Sequence, residues 1–190
     1  MSLLQLETGI TKRLRHGLRT DVDLSAPNSA APDPDPVFVQ TTNWLLCEAG
    51  PPVPEMAAET QQPTDPPARA KLADLARSGP VDEAVIVPLA HAYYEQLGYE
   101  PSIAGALVAV CDMFFGRILA GGVHPAVGAG CIGWYWWMTE HLPDHRVVRA
   151  CKEASERWLH APQPSVVEDE IRAMATAWQA DHQSHVPVIA

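Results

Sequence analysis

Asp112 is the polar residue whose setting most invites chemistry. It stands among Cys111, Met113, Phe114 and Phe115, so its carboxylate must be either buried and paired or placed at the rim of a pocket. Arg117 lies five residues on, about 140° around a helix, and is not a natural intrahelical partner. The partner therefore has to come from another helix or another chain. A structural reading gives Asp112 a buried ion pair or a hydrogen bond from a tryptophan N–H. A catalytic reading makes Asp112 and Tyr93 the polar groups of a small helical enzyme or carrier, with a hydrophobic ligand held between walls of Phe115, Trp134 and Trp137. No Gly-rich phosphate loop, nucleophile elbow or Ser/His/Asp order signal accompanies them, and the structural reading is preferred.

Glu140, His141, Asp144 and His145 form the one dense cluster of metal-capable side chains. Two histidines four apart share a face only on a continuous helix, and Pro143 falls between them. Neither His-Glu-x-x-His nor the Glu-x-x-His pattern of di-iron bundles is present. Glu140, His141 and His145 are thus weak metal candidates, helix caps and a solvated turn are the expected role, and no metal or cofactor is expected. Cys47, Cys111, Cys131 and Cys151 lack ligand spacing, which predicts buried free thiols rather than disulfides or a metal site.

Trp134, Tyr135, Trp136, Trp137 and Met138 are the other unusual group. Five large residues in succession cover every face of a helix, so some must meet a second surface: a neighbouring subunit, the N-terminal arm or an aromatic ligand. With Phe115 and Trp44 they make the candidate contact residues, and a protein contact is preferred.

The elements that must position these residues are helical. Leu3, Leu6, Ile10 and Leu14 recur at helical spacing, with Lys12, Arg13, Arg15 and Arg19 toward the end of the segment, predicting an amphipathic basic helix over residues 1–20 that docks on protein. Residues 21–66 read as a Pro-rich extended arm or linker, because Pro removes donors and the apolar content is too low to offset chain entropy. An apolar island at 37–47 is expected to be a short strand turning helical at Thr42 or Asn43. Residues 67–183 read as a helical bundle domain and 184–190 as a tail.

Within the bundle, Val81, Val85, Leu89, Tyr93 and Leu97 suggest one stripe, interrupted at Pro88. Residues 101–142 predict a central apolar hairpin: one helix capped by Ser102 and stopped by Gly121 and Gly122, then another from Pro125 to Leu142. Gly128, Gly130 and Gly133 in the second ask for close helix packing. Val147, Val148, Cys151, Ala154 and Trp158 give the apolar side of the next helix. Ser165 and Glu168 suggest a capping box before a stripe of Val167, Ile171, Met174 and Trp178. Asp112, Arg117 and the early glycine stop argue against a transmembrane reading of the apolar run.

The expected fold is therefore all-α, a bundle around a central apolar hairpin with an N-terminal amphipathic helix and an extended Pro-rich arm. A formal net charge of −10 disfavours a nucleic-acid surface spread over the whole molecule. Ser2 to Ile10 has no basic-then-apolar leader pattern, so a cytoplasmic location is expected. These features predict a non-catalytic interaction or assembly subunit, a homo-oligomer that engages a larger protein partner through its arm and an aromatic helix face.

Overall fold

The computed structural model describes residues 3–17, 23–28, 30–46, 50–141, 146–182 and 186–187, without the side chains of Leu3, Leu4, Thr139, Glu140 and His141. Among the described residues the fold is all-α. The helices are α1 (Leu3–Gly17), α2 (Pro36–Leu45), α3 (Pro54–Glu59), α4 (Pro67–Leu75), α5 (Glu83–Gln96), α6 (Ile103–Ala120), α7 (Pro125–Gly133), α8 (Arg146–Trp158) and α9 (Pro164–Asp181), with short 3-10 helices at Ala76–Ser78 and Trp134–His141. The chain groups into two units. The first is built on Asp33–Ala109, and the second on Leu3–Pro32 with Val110–Ser184.

In the first unit, the island expected to begin as a strand is helical from its start. The Asp35 carboxylate accepts the Val37 N–H at 3.0 Å and Pro36 occupies the first turn, where its missing N–H costs nothing. Val37, Phe38, Thr41 and Thr42 then fall on one helical face and are fully buried, so packing overrides the strand preference of the β-branched residues. Proline likewise opens α3 and α4. The segment expected as an extended arm thus carries two helices, because Pro36 and Pro54 sit at helix starts.

Phe38 stacks on Tyr94 at 5.7 Å, and both rings meet Tyr99. On α5, capped by Asp82, the buried residues are Ile86, Ala90, Tyr93 and Tyr94. Val85, on the predicted four-residue stripe, is exposed, because a strict interval of four drifts around a helix of 3.6 residues per turn. Pro88 lies on the outer side of the same helix.

The first unit also holds a buried polar network. Arg69, 2% exposed, forks onto Asp35, with Nε to Oδ2 at 2.6 Å and Nη2 to Oδ1 at 3.1 Å. It also donates to Asp65, to the Thr60 hydroxyl at 2.6 Å and to the Thr60 carbonyl at 3.1 Å. The Tyr93 hydroxyl donates to Asp35 Oδ2 at 2.8 Å. Burial pulls the guanidinium pKa down, but Asp35 and Asp65 outweigh it and the net shift is upward. Burial and then Asp35 push the Tyr93 phenol strongly up, keeping it a neutral donor.

In the second unit, Leu6, Ile10 and Leu14 of α1 are buried and α1 packs on α7. Their apolar stripe is covered by their own chain, and the face left outward carries Lys12, Arg13, Arg15 and His16. α7 packs most extensively on α8, and its glycines explain how. A methyl group on Gly133 would lie 2.6 Å from the Lys152 backbone, one on Gly130 2.6 Å from Ile10, and one on Gly128 2.7 Å from Ile118. Close packing is what these three positions serve.

The buried side of α8 is Val148, Cys151, Ala154, Ser155 and Trp158, and that of α9 is Val167, Ile171 and Ala175. The capping box predicted at Ser165 does not form. Gln163 stands at the N-cap with Pro164 in the first turn, and Glu168 instead accepts the Trp158 indole N–H at 3.0 Å. Cys111, Cys131 and Cys151 are buried free thiols. Burial raises all three pKa values, that of Cys151 to about 12. Cys47 lies outside the described residues. α6 is long and apolar enough to cross a membrane by length and composition, and 61% of that stretch is buried by the protein itself.

α7 starts on His124, whose Nδ1 accepts the Ala126 N–H at 3.3 Å. Its Nε2 lies 3.5 Å from Glu168. Burial pushes the His124 pKa down, Glu168 pulls it up, Arg172 pushes it down and Asp23 pulls it up, with a net shift below the ordinary 6.5. Below that value the unfolded chain takes up a proton that the folded state resists, so this contribution to stability is complete above pH 6.5 and lost as the pH falls through the folded value. The urea midpoint of the second unit is therefore expected to drop between about pH 7.5 and about pH 5.5. The drop should be smaller in His124→Asn, which keeps a capping acceptor without the titration. Parallel pH profiles for the two proteins would remove His124 as the cause.

Candidate functional site

The predicted run of α-helix from Pro125 to Leu142 ends at Gly133, and the chain winds on as a 3-10 helix over Trp134–His141. With three residues per turn, side chains three apart eclipse, and this sorts the aromatic run into ridges. Tyr135 (0% exposed) and Met138 (8%) share the inward ridge. Trp134 (39%) and Trp137 (50%) share an outward one, and Trp136 (40%) stands on the third.

Beside them lies a groove of about 460 Å³. Gly130 and Gly133 of α7 and Ser155 of α8 make its floor, with the Ser155 hydroxyl donating to the Ala126 carbonyl at 3.1 Å. Trp134, Trp136 and Trp137 line it together with Ile10, Arg13 and Leu14 of α1, Lys152 and Glu156 of α8, and Leu159.

The charges are unevenly matched. Lys152 Nζ sits 2.8 Å from Glu156 Oε1 and 5.3 Å from the centroid of the Trp136 ring, a cation–π contact. Arg13 is exposed at the groove and makes no ion pair among the described residues. The groove thus presents an aromatic wall, an apolar and backbone floor, and one cation in excess, on a chain of formal charge −10.

The other predicted site residues go elsewhere. Asp112, 2% exposed, accepts the indole N–H of Trp178 at 2.5 Å, the tryptophan hydrogen bond anticipated for it. Phe115 packs at 5.9 Å on that same Trp178, which also stacks on His182 at 3.8 Å. Arg117 pairs with Glu7 of α1 and donates to the Gly122 carbonyl at 3.1 Å. Tyr93 belongs to the first unit and Asp112 to the second, and each hydrogen-bonds within its own unit. Trp44 stacks on His91 at 5.2 Å in the first unit. The side chains of Leu3, Glu140 and His141, and residues Arg19, Asp144 and His145, lie outside the described residues. Among the described residues no cluster of three metal-capable side chains occurs.

Sequence reasoning singled out the three tryptophans and two of the α1 residues beside them, Ile10 and Leu14. It missed Leu159, Lys152 and Glu156 as groove residues. A signal existed for the last two, since Lys152 and Glu156 are four apart on the wet face of α8, but nothing local says which surface that face borders. No family model, no curated protein and no solved structure matches the chain.

Proposed function

We propose that this protein is a non-catalytic interaction subunit whose second unit binds a segment of a protein partner in the tryptophan groove. The observation that carries this is the exposure of Trp134, Trp136 and Trp137 around one groove. A buried tryptophan hides 150–250 Å², so covering the remaining surface of each ring recovers roughly 2 kcal/mol at about 25 cal/mol per Å². A small-molecule pocket encloses about 70–90% of its ligand, and walls that are themselves 39–50% exposed suit an extended chain segment better. The partner contact drawn from α1 is Arg13 and its exposed basic neighbours, since its apolar stripe is already covered.

The experiment places a photo-crosslinking phenylalanine analogue at Trp137, and as a control at Val166, which is 51% exposed on α9. Both proteins are irradiated in the cells that make them. A single protein should cross-link at position 137 and not at 166. Its cross-linked segment, made as a peptide, should bind purified protein about tenfold or more weakly after Trp134→Ala with Trp137→Ala, as for interface anchors worth at least 2 kcal/mol. No position-specific protein adduct, or native mass spectra showing a small organic molecule that the double variant releases, would overturn the assignment in favour of a carrier.

A further inference from the structure

We infer that the partner segment is acidic as well as apolar, with a carboxylate placed to meet Arg13 while its apolar or aromatic side chains cover Trp134 and Trp137. This rests on the reading of the groove as a protein-binding surface. The argument is one of charge complementarity. Two cations line the groove, and Lys152 is already matched by Glu156 at 2.8 Å and lies over Trp136. Arg13 is matched by no ion pair among the described residues, and Lys12 and Arg15 continue the positive field along the exposed side of α1. A guanidinium in a groove that tryptophans also line offers a planar fork for a carboxylate.

The overall charge of −10 sharpens the inference. A broadly acidic partner surface is repelled on average, and charges further away than about 8 Å are largely screened at physiological salt. Recognition therefore has to be local, by one or two carboxylates beside an apolar anchor. A single-stranded nucleic acid would also stack on tryptophan, but it carries a phosphate at every nucleotide and requires a track of cations. Within the groove itself the described residues supply one cation beyond the Lys152–Glu156 pair, and the further cations of α1 lie outside its lining.

The test selects random peptides displayed on phage against the full chain at physiological ionic strength, with counter-selection on Trp134→Ala/Trp137→Ala. The enriched sequences should combine an aromatic residue or leucine with Asp or Glu close by. The synthetic consensus peptide should bind Arg13→Glu about tenfold more weakly, a typical scale for a close interfacial charge pair. Replacing the peptide's acidic residue with lysine should restore binding to that variant. Circular dichroism of both variants, all changed at exposed positions, checks that they fold. A purely apolar consensus with no response to Arg13→Glu would overturn the acidic inference and leave the groove assignment standing. If no enrichment depends on the two tryptophans, or oligodeoxythymidine outcompetes the peptides, the groove assignment itself falls.

Discussion

Arg69→Ala is expected to destabilise the first unit by about 3–5 kcal/mol, the cost of removing one partner from a buried ion pair. The size follows from what would be left behind. Asp35 and Asp65 are 6% and 11% exposed at their side chains, so both carboxylates would stay in low dielectric without the guanidinium that neutralises them. Tyr93 donates to one oxygen of Asp35 and cannot supply the charge. Arg69→Lys should recover only part of the loss, since an ammonium keeps the charge but not the fork that reaches Asp35, Asp65 and Thr60 together. Urea denaturation read by hydrogen exchange in α2 and α5 measures the effect. A loss below about 1 kcal/mol, the scale of an exposed pair, would mean the network is solvated and carries little of the unit's stability.

Trp158→Ala is the matching prediction for the second unit, at about 3–5 kcal/mol. The ring is completely buried, meets His124 edge-on at 5.4 Å and donates to Glu168 at 3.0 Å. Truncation removes the largest fully buried side chain and leaves Glu168 short of a donor beside the histidine that starts α7. Trp158→Phe separates the two contributions, because it keeps most of the volume and loses only the N–H. If Ala and Phe cost the same, the hydrogen bond dominates; if Phe is nearly silent, packing does. An Ala variant as stable as the parent would show that the space at Trp158 collapses without cost. The three groove tryptophans, each about half-buried, should change binding while costing less stability than Trp158→Ala, since only the covered part of each ring is lost.

Some of this was legible in order along the chain. Ser102 and Pro125 mark helix starts, and the buried faces of α8 and α9 follow the 3.6 period of their apolar residues. Where the reading went astray, a local rule had two outcomes. A Pro-rich stretch is an arm if its prolines interrupt and a set of helices if they initiate, and residues 36–59 took the second course because Val37 and Phe38 found a core. The aromatic run was rightly noticed as too bulky for one face, yet which rings turn outward depended on the switch to 3-10 winding after Gly133.

The sequence by itself determined that the protein is all-α, where α6 and α7 start, that Asp112 needs a partner from another helix, and that the residues 134–138 cannot all be buried. These are properties of a few neighbouring residues, set by caps, helical period and the cost of burying charge. The tertiary structure alone decided that the partner of Asp112 is Trp178, 66 residues away, that Asp35, Arg69 and Tyr93 share one buried network, and that α1, α7 and α8 meet the tryptophans around a groove. Those pairings arise where helix faces come together, and the apolar pattern of a helix says that a face is covered without saying by what.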